Sequence, residues 1–389
     1  MVVVVEPLAE ADPREIGPYR LLAVLGHGGM GRVFLGTASD GRLVAVKLIR
    51  AALADDARHQ GRFRREVAAA RRVRGAYTAP VLDADLDAPT PWLVSAFISG
   101  PSLQQVADAG TASDAASGAT TDATTVGIAP RTLPEEAALR LAAGLTAALH
   151  EIHGAGLVHR DLKPDNILLT DESTTTGVPL TANDKGVWVV DFGVALATDD
   201  APGSTRLTRT GWVVGSPPYM SPEQVDGTAI TPASDIFSLG SVLVMACTGA
   251  SPFAGTSLQQ VLHNVLYSEP DLLALPNRIR RVAEACLAKD PAERADLSRL
   301  RDLIGQAATA TRPWPSRVRD LMQAQRAEVE RILGPVHDTT TAGAEGDEKI
   351  MEQQGNRSDS VHRRRFVARK VRQRPRNRVS TGGGGSPAD

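Results

Sequence analysis

The run His159-Arg160-Asp161-Leu162-Lys163-Pro164-Asp165-Asn166 gathers several reactive groups on one short stretch. Asp161 can take a proton, Lys163 can meet an anion, and Asn166 can offer an amide oxygen to a metal. Twenty-five residues past Asn166, Asp191-Phe192-Gly193 follows the apolar stretch Val187–Val190. There Asp191 is a hard-oxygen ligand suited to Mg²⁺, and Gly193 frees the backbone behind it. Far upstream, Gly26-His27-Gly28-Gly29-Met30-Gly31-Arg32-Val33 matches G-x-G-x-x-G-x-V, with glycine where the backbone must fold close over phosphate oxygens. Gly-rich turns are common. This one lies between two strand-like runs, which argues against a nicotinamide or flavin site, whose loop would run into a helix.

Sixteen residues after Gly31, Val44-Ala45-Val46-Lys47 ends in a lysine. A lysine closing an apolar strand is ordinarily a surface residue. Its alternation with Leu43 and Ala45 can instead point it under the Gly-rich turn, toward the α- and β-phosphates of a nucleotide. Glu66 is the only acid between Ala57 and Leu82, among seven arginines. It is either a solvated partner of those arginines or the counter-ion for Lys47.

The elements that must position these groups are legible in outline. Tyr19–Leu25, Arg32–Thr37 and Arg42–Ile49 alternate like strands and are separated by turn residues, an antiparallel meander. A helical pattern over about 55–74 precedes two more strand candidates, Val81–Ala84 and Trp92–Ile98. Beyond Ser99-Gly100-Pro101 the helical period dominates: Ser102–Ala107, Leu133–His153 with Pro134 in its first turn, then Ala233–Thr248, Ser257–Tyr267, Asn277–Ala288 and Leu297–Ala307. Residues 108–130 and 170–185 are polar, low-complexity insertions.

The 389 residues carry 43 Lys+Arg and 45 Asp+Glu, a formal net charge of −2, which excludes a wholesale basic or acidic binder. Apolar residues at 42% and charged residues at 23% are ordinary globular usage. Cys247 and Cys286 lie in apolar helical stretches without metal-ligand spacing and read as buried thiols of a reducing compartment. Val2–Val5 is too short for a signal core, and no apolar run approaches the ~20 residues of a membrane span. Residues 1–18 read as a flexible arm. Trp314–Leu333 sets Val318, Leu321, Met322, Val329, Ile332 and Leu333 near one helical face. Arg363–Arg378 holds nine Lys/Arg and no acid.

The ordered set of motifs resembles the eukaryotic-type (Hanks-type) serine/threonine protein kinases of bacteria, and the Ala/Arg/Gly-rich text is similar to soluble actinobacterial members. The likeness runs from about Tyr19 to about Ile304. It implies an α+β, two-lobed protein-kinase fold. Residues 19–98 form a small antiparallel β-sheet lobe with one regulatory helix, 99–307 a larger helical lobe, and 308–389 a C-terminal helix with a basic, largely disordered tail.

The resemblance further implies ATP and Mg²⁺ (Mn²⁺ as an option), with Leu25, Gly26, His27, Gly28, Gly29, Met30, Gly31, Arg32 and Val33 covering the nucleotide. Lys47 binds its phosphates and pairs with Glu66. Val33, Ala45 and Leu168 sandwich the adenine, and Ser95 stands at the gatekeeper position before the hinge Ala96–Ile98. Asp161 is the catalytic base, Lys163 steadies the γ-phosphoryl group, and Asn166 and Asp191 hold metal. Glu223 of Ser221-Pro222-Glu223 pairs with Arg294, and Asp235 braces the catalytic loop.

Lys163 favours Ser/Thr acceptors, with Ser216 shaping the acceptor pocket. Thr208 and Thr210 are the expected autophosphorylation sites, with Arg160 as phosphate receiver. The rivals are a nucleotide-binding pseudokinase scaffold, a small-molecule phosphotransferase, and a module binding nucleic acid or anionic lipid through the basic tail. A cytoplasmic signalling protein acting on Ser/Thr of protein substrates is the reading these residues favour.

Overall fold

Alternating burial along Tyr19–Ile49 builds the small lobe strand by strand. The computed structural model describes residues 5–28, 31–49, 57–73, 75–116, 132–171, 186–192, 216–305 and 313–334. Strands β1 (Glu6–Pro7), β2 (Glu15–Ile16), β3 (Tyr19–Gly28), β4 (Gly31–Thr37) and β5 (Leu43–Ile49) are followed by helix α1 (Ala57–Ala70), β6 (Val81–Asp85) and β7 (Trp92–Ala96). The sheet is antiparallel, in the order β1-β3-β4-β5-β7-β6, with β2 paired to β3. Its buried face gathers Leu21, Val24, Phe34, Val44, Val46, Trp92 and Val94.

The arm expected to be flexible is paired instead. Glu6 and Pro7 lie opposite Val24 and Ala23, and Val5 is buried. Asp12 accepts from the Ala9 amide at 2.8 Å and from the Arg32 guanidinium. Its short polar text gives no strand period, so only the sheet edge offered by β3 orders it.

The large lobe contains α2 (Leu103–Ala116), α3 (Glu135–Gly154), β8 (Ile167–Leu169), β9 (Val187–Val189), α4 (Pro222–Asp226), α5 (Pro232–Thr248), α6 (Leu258–Tyr267), α7 (Asn277–Cys286), α8 (Leu297–Ile304) and α9 (Ser316–Leu333). Helix α2 runs nine residues past the expected Ala107, into the polar insertion. Start and stop chemistry sets the others. Helix α3 follows Pro134 with Glu135 and Glu136 in its first turn, where carboxylates meet the positive end of the helix dipole. Helix α5 opens on a Thr231/Ser234 capping box and ends at Gly249 in the left-handed region. Helices α3, α5 and α7 bury Leu139, Leu141, Leu145, Leu149, Phe237, Leu243, Ile279 and Val282 in one core. Gly144 lets α3 close on β9, since a Cβ there would lie 2.6 Å from Val187 Cβ. Both cysteines are free, and burial pushes their thiols up to about 12, which favours the protonated form. Among the described residues no helix is long and apolar enough to cross a membrane.

Candidate active site

Strand register assembles the roof of the cleft. Lys47 lies opposite Val33 on β4 and Leu93 on β7, while Ala45 lies opposite Leu35 and Ser95. Directly opposed residues share a face, so Val33, Ala45, Lys47 and Ser95 line one side of the sheet. Gly26, His27 and Gly28 pair with Val33, Arg32 and Gly31, closing a hairpin whose tip, Gly29 and Met30, lies outside the described residues. Gly31 is obligatory: its φ is +151°, and a Cβ would stand 1.7 Å from the Leu48 carbonyl oxygen. The guanidinium of Arg32, expected over the nucleotide, is held by Asp12 of the arm and stacks 4.9 Å from the Phe34 ring centroid.

At the hinge, the Ala96 amide donates to Pro80 O at 3.0 Å, and Ala96, Phe97 and Ile98 are buried. Ile98 and Leu168 belong to one apolar cluster with Ala79 and Trp188. Leu168 sits on the β8–β9 ribbon, opposite Trp188.

Below the cleft, Asp161 and Lys163 are joined at 2.8 Å. Asn166 donates its amide to Asp161 O at 2.8 Å, which leaves its side-chain oxygen as an acceptor. The backbone oxygen of Asn166 accepts from the Val190 amide at 3.0 Å, so the catalytic-loop run and the strand leading into Asp191 abut. Asn166 and Asp191 therefore lie on adjoining backbone segments, and both carry hard oxygens of the kind Mg²⁺ takes. Among the described residues, two that are not glycine adopt positive φ, Arg160 at 68° and Asp191 at 59°. Such conformations cost on the order of 1–3 kcal/mol each and persist where surroundings impose them. For Arg160 the constraint is visible. Asp235, fully buried, accepts from the amides of His159 and Arg160 at 2.8 and 2.9 Å and contacts His153 Nε2 at 2.8 Å. Gln224 donates to Arg160 O at 2.7 Å.

One expectation is corrected here. Lys47 Nζ donates to Asp191 Oδ2 at 3.0 Å, and Glu66 accepts from Arg160 Nη1 at 2.5 Å, in place of a Lys47–Glu66 pair. The reason is charge supply: Arg160 emerges from its strained turn beside α1 and competes for the same carboxylate. Enclosure pushes the Asp191 carboxyl up, but Lys47, with His159 and Lys163 beyond, outweighs it and holds the group below the usual value. The expected Glu223–Arg294 pair is present, bidentate at 2.7 and 2.8 Å.

Sequence reasoning missed two connections. Glu151 on α3 accepts from the Ala76 and Tyr77 amides and from Thr78 Oγ1, at 2.7, 3.2 and 2.9 Å, tying the loop after α1 to the large lobe. Gln224 holds the His159–Asn166 run through Arg160 O, and His153 steadies Asp235 behind it. Their partners lie 64 to 82 residues away, so no local signal could have announced them. Gly193, Thr208, Thr210, most of both insertions and the basic run Arg363–Arg378 lie outside the described residues.

The family description "Protein kinase domain" matches residues 19–303, most of the chain. The chain belongs to the protein kinase family. Its relatives include the serine/threonine-protein kinase AfsK of Streptomyces griseus, 43% identical over 78% of this chain and 33% of that protein. AfsK of Streptomyces coelicolor is 39% identical over 88% of this chain and 39% of the relative. The probable serine/threonine-protein kinase PkwA of Thermomonospora curvata is 42% identical over 78% and 36%. The chain therefore spans little more than a third of the length of these relatives. The kinase domain of Mycobacterium tuberculosis PknI has the same fold, with a TM-score of 0.54 at 22% identity over 77% of this chain and 99% of that one. Family membership thus agrees with the two lobes, the Gly-rich hairpin and the loop that carries Asp161.

Proposed function

We propose that the chain is a serine/threonine protein kinase that transfers the γ-phosphoryl group of ATP to Ser/Thr hydroxyls of proteins. The observation that carries this reading is the Asp161–Lys163–Asn166 constellation abutting the strand to Asp191, with Lys47 reaching Asp191 across the cleft. Asp161 accepts the acceptor hydroxyl proton, and Lys163 beside it meets charge on the transferred group. Lys47 grips the α/β-phosphates under the hairpin of Gly26, Gly28 and Gly31, while Leu25, Val33, Ala45, Ala96, Ile98 and Leu168 enclose the adenine. Asn166 and Asp191 hold Mg²⁺, or Mn²⁺ in its place. When bound, the metal neutralises charge on the phosphate oxygens.

In this arrangement Lys47 occupies Asp191, so nucleotide binding requires an exchange in which Glu66 takes Lys47 and releases Arg160. Autophosphorylation at Thr208 and Thr210 favours that exchange, because a phosphate of about −2 charge draws Arg160 away from Glu66. Arg160 Nε, buried and without a hydrogen-bond partner among the described residues, is a donor available to it. Cytoplasmic action on protein substrates completes the reading.

The test is incubation of the purified chain with labelled ATP and Mg²⁺, followed by mass-spectrometric mapping of phosphorylated residues. Phosphate on Ser/Thr, lost in Asp161→Asn, supports the reading. Equal labelling by Asp161→Asn overturns it, and unmodified Thr208 and Thr210 in active protein removes the autophosphorylation sites.

A further inference from the structure

Helix α9 lies wholly beyond the matched kinase domain, yet it is built into both lobes. Its buried residues Val318, Met322, Gln325 and Val329 are spaced four, three and four apart and form one stripe. At the near end the helix is riveted to the large lobe. Trp314, 1% exposed, donates from Nε1 to Thr170 O at 3.0 Å and lies under the Arg140 guanidinium, 4.3 Å from the ring centroid. Arg317 donates to Thr132 O at 2.9 Å, and Val318 and Met322 join the large-lobe core. Eighteen residues carry the helix about 27 Å. At the far end Val329 is buried in a different cluster, with Ala23, Leu35 and Leu43 of the small-lobe sheet and Phe97 of the hinge. Ile332 and Leu25 pack against that same cluster, and Val5 of the N-terminal arm belongs to it. The expected apolar face is thereby corrected at one position, since Leu333 is 46% exposed.

We propose that α9 is a strut across the hinge that sets the angle between the lobes and holds Leu25 and Phe97 in place against the nucleotide. This inference rests on the ATP-dependent reading above. A helix anchored to one lobe through the Trp314 that leads into it and packed by Val329 on the other resists their separation. Leu25 opens the Gly-rich hairpin and Phe97 lies between Ala96 and Ile98, so both ends of the adenine slot lean on the cluster that Val329 completes. Val329 acts through these neighbours and is a positioning residue.

The experiment measures KM for ATP and kcat with a Ser/Thr peptide for the full chain, wild type and variants, alongside thermal melting. Val329→Asp should raise KM for ATP about fivefold or more with kcat within about twofold, because the strut serves nucleotide binding rather than chemistry. Trp314→Ala, at the opposite anchor, should move KM in the same direction. Val329→Ile and the exposed-site control Leu333→Asp should behave as wild type. A Val329→Asp KM within about twofold of wild type, or an equal shift in Leu333→Asp, overturns the strut. If Val329→Asp gives no cooperative melting transition, Val329→Ala is read by the same criterion. A wild-type chain that transfers phosphate while Val329 variants keep its KM sinks the strut alone; a wild-type chain without ATP-dependent transfer sinks both readings.

Discussion

Two ion-pair systems in this molecule are built on opposite principles. Glu223 and Arg294 in the large lobe are 5% and 0% exposed at their side chains and meet through two parallel bonds. Every remaining donor of Arg294 is also engaged, by the carbonyls of Ala288, Ala233 and Lys289, and Ser234 donates to Glu223 at 2.6 Å. In the cleft, Lys47 and Asp191 are 12% and 32% exposed, and Arg160 and Glu66 are 23% and 11% exposed. A buried pair whose donors are all engaged has no alternative partner and acts as a fixed joint. Partly solvated pairs, by contrast, lose little when they trade partners. The lesson is positional: the charges between the lobes are left exchangeable, and those that hold the large lobe together are sealed.

This contrast can be broken at several points. The largest effect falls on catalysis. Asp161→Asn should lower phosphoryl transfer by roughly 10²–10⁴ with an unchanged melting curve, since general-base assistance is lost and no core is disturbed. Lys47→Met should act likewise, and a large drop in its melting temperature would show that the cleft pair is structural after all.

Next comes the fixed joint. Arg294→Met strands a buried carboxylate and should destabilise the large lobe by about 3–5 kcal/mol in denaturant titration. An Arg294→Met chain of native stability would abolish the distinction drawn above. Acid titration sharpens it. Burial pushes the Glu223 carboxyl up, but the Arg294 and Ser234 hydrogen bonds outweigh this and hold it below its ordinary value of 4.5. A depressed carboxyl contributes stability above its unfolded value and loses it as pH falls through the lower folded value. Wild type should therefore weaken through this group only below about pH 4.5, whereas in Arg294→Met protonation relieves the stranded carboxylate, so the stability gap from wild type should narrow as pH falls, followed by denaturant titration with circular dichroism.

The smallest effect is expected at Glu66. Glu66→Gln should cost less stability than Arg294→Met while lowering activity, because the Glu66 and Arg160 side chains, 11% and 23% exposed, are less enclosed than the sealed pair. Equal losses of both would place this pair with the sealed one.

How much was legible follows from the range of each signal. Asp161, Lys163 and Asn166 sit within six residues, so their loop was readable as text, and the strand alternation around Lys47 announced which face it would share. Glu223–Arg294 was foreseen through the resemblance, although 71 residues separate the partners. The Lys47–Glu66 pair was not realised, because the choice among Lys47, Arg160, Glu66 and Asp191 depends on distances that span both lobes. The N-terminal arm has two-residue strands, too short for any period, and gained order only from the edge of β3.

By itself the amino-acid text determined the reactive groups, the strand-turn-strand glycine hairpin and the helical frame, because period, caps and glycine act within a few residues. The tertiary structure decided which cation holds which carboxylate and where α9 is anchored. Those outcomes are competitions between groups far apart in the chain, settled only when packing brings the rivals within bonding distance.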